Sequence, residues 1–265
     1  MKKTNKKCFF VLVFFLILSM SLASSFEQSP SLSQEETEQF LLTAEILKIE
    51  KELELGRTDF WRITLNNGKT ERRAIFKHVN RSRPTLLPDC YKYEIAAYRL
   101  NKMIGLDVVP PVVERIINGQ IGSLQLMIEN VFTDRERHIK DLDPIDPVRF
   151  DKDMDVIKIL EILACDQCSD SEDILIQADT WKLWRVDFSE AFDDSPQIPH
   201  ECRIERCSRS LFDQLINLSN RKLEKNLEPY LNKKEINALL ERKQSIITVI
   251  KSLIKQKGEK QVLFE

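Results

Sequence analysis

Glycine is scarce in this chain, six in 265 residues. That leaves no room for a Gly-rich phosphate loop of the usual kind, which needs several positions without a Cβ so that backbone can approach an anion. A charge of one sign is missing too. The 40 basic and 42 acidic side chains leave a net charge of −2, which excludes nucleic acid or an anionic membrane as a partner chosen by bulk electrostatics. Internal repeats and low-complexity tracts are absent as well. What remains is the composition of an ordinary globular protein, 31% charged and 42% hydrophobic. The length suits one domain of two lobes, or two small domains.

The opening residues differ from the rest. Lys2, Lys3, Lys6 and Lys7 precede an unbroken apolar run from Cys8 to Leu18, closed by Ser-Met-Ser-Leu-Ala. A basic segment, a short apolar core and small residues at Ser21 and Ala23 predict a secretory signal over 1–23, cut after Ala23. The run is shorter than the roughly 20 residues a spanning helix needs. A membrane is a partner only if this segment stays uncleaved. The mature chain is therefore expected to be exported, to the periplasm or beyond. Five cysteines would remain: Cys90, Cys165, Cys168, Cys202 and Cys207. In an oxidising compartment disulfides are the default. Cys165, Cys168, Cys202 and Cys207 can pair with each other, close locally, or make a thiolate zinc site. The loose Cys202-x4-Cys207 spacing ranks zinc below disulfide, and Cys90 is left as a buried apolar thiol.

In chain order, 24–33 is a polar linker, and Ser33 with Glu36 predicts a capped helix over Gln34–Thr43. Glu45–Leu53 reads as a strand. In Phe60–Leu65, Trp61, Ile63 and Leu65 alternate with Arg62 and Thr64, the period of a half-buried strand. Asn67-Gly68 is a hairpin signal, and Arg73–Val79 returns as its partner. Asp89 is expected to cap a helix from Cys90 to Ile104, stopped by Gly105. Val108–Ile117 and Gly122–Ile128 are strand candidates around the Asn118-Gly119 turn. The charged 135–150 stretch reads as a connector, with a core helix over Asp151–Ala164. The last third is helical, starting at Ser208 or Ser210, with segments Leu223–Leu231 and Lys233–Lys257.

The residues that carry chemistry sit in two places. Leu163–Phe192 runs from acids and cysteines into a short apolar stretch, Ile174–Ile176. A turn at Asp179-Thr180 and an apolar-aromatic run, Trp181–Val186, then deliver Asp187. Two short strands that each present a carboxylate at one edge are how a kinase-type site holds magnesium. A surface hairpin with acidic ends is the bland alternative. Upstream, Lys77 lies on the Ile75 face of its strand, and Tyr91, Glu94 and Tyr98 share a helix face. An exposed strand lysine is the ordinary reading of Lys77, but a strand lysine followed by a helix glutamate is also the ion pair by which kinases hold the α- and β-phosphates.

With these pieces placed, the chain resembles a bacterial family of exported, uncharacterised kinase-like proteins, distantly similar to HipA-type, phosphoinositide-type and secretory-pathway protein kinases. The resemblance rests on Phe40-Leu-Leu-Thr-Ala-Glu, Arg73-Ala-Ile-Phe-Lys77, Asp89-Cys-Tyr-Lys-Tyr-Glu and Val109-Pro-Pro-Val-Val-Glu-Arg. It continues through Gly122-Ser-Leu-Gln-Leu, Trp181-Lys-Leu-Trp, Asp187 with Ala191-Phe192, and Pro229-Tyr-Leu-Asn-Lys-Lys-Glu-Ile. It implies an α+β, two-lobed protein-kinase-like fold, with ATP between a small strand-rich N-lobe carrying one helix (34–134) and a mostly helical C-lobe (151–265). Lys77 would touch the phosphates, Glu94 would orient it, and Asp187 would bind magnesium or manganese.

The departure lies in the catalytic loop, where relatives read Asn-Thr-Asp-Arg-x-x-Gly-Asn. Registering on Asp173-Ile-Leu-Ile puts Asp173 at the metal-binding Asn and Cys168 at the catalytic Asp. Registering from the upstream helix puts Gln167 there. Only a local shift brings Asp166 or Asp170 into the role of base. Cys168 is a soft, mostly protonated substitute for a carboxylate. Three functions follow, in falling order: a pseudokinase or weak nucleotide binder acting through a protein or small-molecule partner; an active ATP-dependent phosphotransferase; and a cysteine-based structural or redox module.

Overall fold

The computed structural model describes residues 32–52, 60–81, 88–166, 171–200 and 202–265. The expected secretory segment, most of the linker after it, Cys168 and Asp170 lie outside the described residues.

The N-terminal part is built on strands. Helix α1 (Gln34–Thr43) starts at the expected capping box, where Ser33 and Glu36 bond each other's backbone. It leads into β1 (Glu45–Glu52), β2 (Phe60–Asn66) and β3 (Glu71–Lys77). Trp61, Ile63 and Leu65 are buried as the alternation predicts, and so are Ala74 and Phe76 opposite them. Two short strands, β4 (Asn80–Arg81) and β5 (Asp89–Cys90), pair just ahead of helix α2 (Tyr91–Met103). Strands β6 (Val112–Ile117) and β7 (Gln120–Leu126) complete an antiparallel sheet in the order β1-β2-β3-β7-β6.

Strand β8 (Val131–Thr133), helix α3 (Asp134–Ile139) and helix α4 (Pro147–Ala164) follow. Strands β9 (Ile174–Gln177) and β10 (Leu183–Arg185) pair as the expected hairpin, and β8 joins them as a third strand. Beyond lie β11 (Cys207–Ser208), α5 (Arg209–Asn217), α6 (Asn220–Leu227), α7 (Lys233–Lys257), α8 (Glu259–Val262) and β12 (Leu263–Phe264), with β12 parallel to β11. One apolar core takes in Ile95 and Leu100 of α2, Leu160 and Leu163 of α4, Leu215 of α5, and Leu239 and Ile246 of α7. Helix α2 is thus packed both on the sheet and among the C-terminal helices.

Four expectations change. Cys90, not Asp89, is the N-cap of α2 and offers no side-chain cap. Backbone carbonyls do that work instead: Cys90 N donates to Ser189 O at 2.8 Å and Tyr91 N to Val79 O at 2.8 Å. The stretch read as a connector contains α3, and α4 starts at Pro147, because Asp146 caps it and a proline at the first helical position has no amide to lose. The strand expected from Val108 starts only at Val112, past Pro110-Pro111. Cys165 and Cys207 are free thiols. Cys165 is the left-handed C-cap of α4. Cys207 is buried, its Sγ 3.3 Å from the carbonyl of Ser208. Burial pushes its thiol up to about 12. Neither enters the bridges expected of them.

Candidate functional site

Three elements converge on Lys77. Strand alternation sends Ala74 and Phe76 into the core and leaves Ile75 and Lys77 half-buried on the other face. Glu94 lies on the first turn of α2, 2% exposed. Asp187 follows β10. The Lys77 ammonium donates to Glu94 Oε1 at 2.6 Å and to Asp187 Oδ1 at 2.7 Å. The second oxygen of Glu94 accepts from Phe188 N at 3.2 Å. The three residues expected to act together are therefore brought together, across 17 and 110 positions of sequence.

Asp187 has φ +61°, the left-handed region. That costs a non-glycine residue about 1 kcal/mol or more. Bonds over-determine it: Ser189 Oγ and N both donate to Asp187 Oδ1, at 2.9 and 3.3 Å. The carbonyl of the same Ser189 accepts from Cys90 N, so the turn that holds Asp187 also starts α2. At its other end α2 is tied to α1, with Tyr98 Oη 2.5 Å and Lys102 Nζ 2.7 Å from Glu38 Oε1. Tyr93 Oη donates to Glu235 of α7 at 2.7 Å.

Burial alone would lower the Lys77 ammonium, but Asp187 and Glu94 outweigh it and hold it above the usual lysine range. Burial pushes the Glu94 carboxyl up against the pull of Lys77. Burial also works to raise Asp187, yet Lys77 and Ser189 win and hold it below the usual carboxylate range. Its side chain is 45% exposed, so water supports that charge as well. Burial thus opposes the charge of both carboxylates, and the ammonium of Lys77 favours both.

A second charged centre, which sequence reasoning missed, lies two residues upstream. Arg185 of β10 is 1% exposed. Its Nε donates to Glu161 Oε1 of α4 at 2.8 Å, and another nitrogen to Asp166 Oδ2 at 2.6 Å. The third nitrogen is 3.4 Å from Asp173 Oδ2 and donates to the carbonyl of Val186. One guanidinium thus ties α4, both ends of the loop between α4 and β9, and the approach to Asp187. A lone arginine inside the apolar run Trp181–Val186 was the available signal. Both candidate ligand Asp173 and candidate base Asp166 share their carboxylates with this arginine, while the other candidate base, Asp170, lies outside the described residues.

Burial pushes Glu161 up to about 7 against the pull of Arg185. A carboxyl whose folded pKa exceeds its unfolded one adds stability that is complete below about pH 4.5 and lost as pH rises through about 7. Glu161→Gln removes that loss. Its stability relative to wild type should improve by on the order of 2–3 kcal/mol between about pH 4.5 and about pH 8. Urea titrations at the two pH values measure this, and a difference that does not change with pH rejects it.

Half-buried apolar side chains lie on the strands that carry or lead to the triad. Ile75 sits beside Lys77 on β3. Leu175 and Trp184, a cross-strand pair on β9 and β10, are half-buried, as is Val186 next to Asp187. Two buried donors, Gln125 Nε2 on β7 and Trp184 Nε1 on β10, have no hydrogen-bond partner. Among the described residues no group of three or more His, Cys, Asp or Glu is placed to hold a metal ion. Any cation here would rest on Asp187, with Asp173 partly committed to Arg185.

The fold has a counterpart among solved structures. The proinflammatory kinase CtkA of Helicobacter pylori superposes with a TM-score of 0.52 over 83% of this chain and 98% of that one, at 12% identity. The fold is kinase-like. At that identity the likeness speaks for the fold alone. Two structures of CtTel1, a C2-symmetric dimer and an open conformation, give TM-scores of 0.44 and 0.43 at 11% identity. They cover 80% of this chain and 12% of theirs. No family model and no curated protein matches the sequence.

Proposed function

We propose that this chain is a two-lobed, kinase-fold nucleotide binder, exported on its basic and apolar opening segment, that acts through a partner and transfers phosphate poorly. The observation that carries the reading is Lys77 held between Glu94 and Asp187. A strand lysine kept charged and aimed by a helix glutamate is what polyphosphate binding needs, and an ionised, part-exposed aspartate beside it suits a hard cation. Magnesium or manganese, when bound with the nucleotide, would offset phosphate charge there, with Asp187 as the main ligand and Asp173 the weaker one.

The poor transfer follows from the neighbouring loop. A base must be unencumbered to accept a hydroxyl proton. Asp166 is ion-paired to Arg185 within a buried network, and loss of a general base typically removes on the order of 10²–10⁴ in rate. An active phosphotransferase is the second reading. The intact Lys77, Glu94 and Asp187 favour it, and Asp170 or a released Asp166 would then serve as base.

Thermal denaturation tests the binding. At ATP about tenfold above its dissociation constant, with magnesium or manganese, the midpoint should rise by roughly 3–5 °C. The rise should vanish without metal, in Lys77→Ala and in Asp187→Ala. No shift at millimolar ATP removes the reading. Release of γ-phosphate to solvent or protein at ordinary kinase rates would replace the first reading by the second.

A further inference from the structure

The inference concerns Gln125 and rests on the nucleotide-binding reading above. Register places it. Antiparallel pairing sets Ser123 of β7 opposite Lys77 and Gln125 opposite Ile75, so all four share the face of the sheet from which Lys77 projects. On its other side Gln125 pairs with Val112 of β6. The amide is therefore flanked in the sheet by Ile75 and Val112, a setting that a leucine would fill without leaving a polar atom over.

Instead the Nε2 amide is buried and finds no acceptor in the protein. Buried donors are nearly always satisfied, and an exception at a functional surface points to a ligand that completes it. This donor lies one strand pair along from the lysine proposed to hold phosphates, on the same face. A group bonded to the phosphates and lying against Ile75 would meet it.

We propose that Gln125 reads the base of the bound nucleotide, donating its amide hydrogen to a carbonyl or ring-nitrogen acceptor on a purine. Lys77 and Asp187 then serve the polyphosphate end, and Gln125 decides which nucleoside accompanies it. The free protein carries the cost of the orphaned amide, and the bound base relieves it.

Equilibrium binding of ATP, GTP and inorganic tripolyphosphate, each with magnesium, tests this in wild type, Gln125→Leu and Gln125→Glu. The leucine variant should bind the preferred nucleotide about tenfold more weakly and tripolyphosphate within about twofold of wild type. Without ligand its melting midpoint should equal or exceed that of wild type, because an unsatisfied polar group has been removed. The glutamate variant keeps the size, loses the donor, and should weaken the same nucleotide. Unchanged nucleotide binding in both variants overturns the proposal, as does equal weakening of nucleotide and tripolyphosphate. Wild type that binds neither nucleotide nor tripolyphosphate defeats the nucleotide-binding reading itself, and the role of Gln125 with it.

Discussion

Arg185→Met should destabilise the protein by about 3–5 kcal/mol, a large part of what a domain possesses. The side chain is 1% exposed and lies within ion-pair reach of Glu161, Asp166 and Asp173. Methionine fills most of the volume but leaves three carboxylates without their shared cation, in a place where Glu161 is already pushed up by burial. Arg185→Lys should fall between, since an ammonium is a point charge and cannot fork toward three acceptors and the Val186 carbonyl at once. Urea denaturation followed by circular dichroism measures both. Adding Glu161→Gln to Arg185→Met should recover part of the loss, because one buried charge fewer is left uncompensated. A methionine variant as stable as wild type would mean that the network contributes nothing net.

Gly122→Ala is the second large effect. A Cβ built at Gly122 would lie 2.3 Å from the carbonyl oxygen of Lys77 and 2.7 Å from the Phe76 ring. Backbone that close cannot yield as a flexible side chain does. Overpacking of this kind costs about 1–3 kcal/mol and occasionally more. Here the strand that must move is the one carrying Lys77. The substitution should therefore lower stability by roughly 3 kcal/mol and also remove the ATP-dependent thermal shift, although residue 122 contributes no side chain to the site. Gly119→Ala, in the β6–β7 turn with φ +77° and open space around it, should cost only the conformational strain and keep the shift. Equal behaviour of the two variants would sink the steric account.

Much of the site could be read from the amino acids because each part follows a local rule. Period-two alternation put Lys77 opposite the buried Ala74 and Phe76. Helical spacing put Glu94 between Tyr91 and Tyr98, all three buried in α2. A short apolar run ending in Asp187 gave the hairpin edge. Arg185 and Glu161 escaped because both sit inside apolar stretches, where a charge reads as a side chain turned to solvent. Only the pairing of α4 with β10 reveals that they neutralise each other. The helix over 134–139 and the early start of α4 were hidden by Asp and Pro residues that read as a loop and in fact cap and open helices. Gln125 was unreadable for another reason. Its meaning depends on which residues stand beside it on β3 and β6, and a strand alone does not tell its partners.

If metal and nucleotide bind as proposed, the hydrogen bonds of Lys77 and Arg185 set the order in which they would arrive. One ammonium is shared by two carboxylates, and one guanidinium by three. Across the two networks five carboxylates share two bases, so acids outnumber bases there. A bare polyphosphate would meet repulsion there, and Lys77, shared by Glu94 and Asp187, would have no unshared attraction to offer it. A divalent cation meets the opposite. By drawing Asp187 toward itself it would loosen one of the two bonds on Lys77 and turn that lysine into a free anion receptor. On the nucleotide-binding reading proposed above, the site would be a gate opened by metal, with the nucleotide as the second arrival or as the metal's companion.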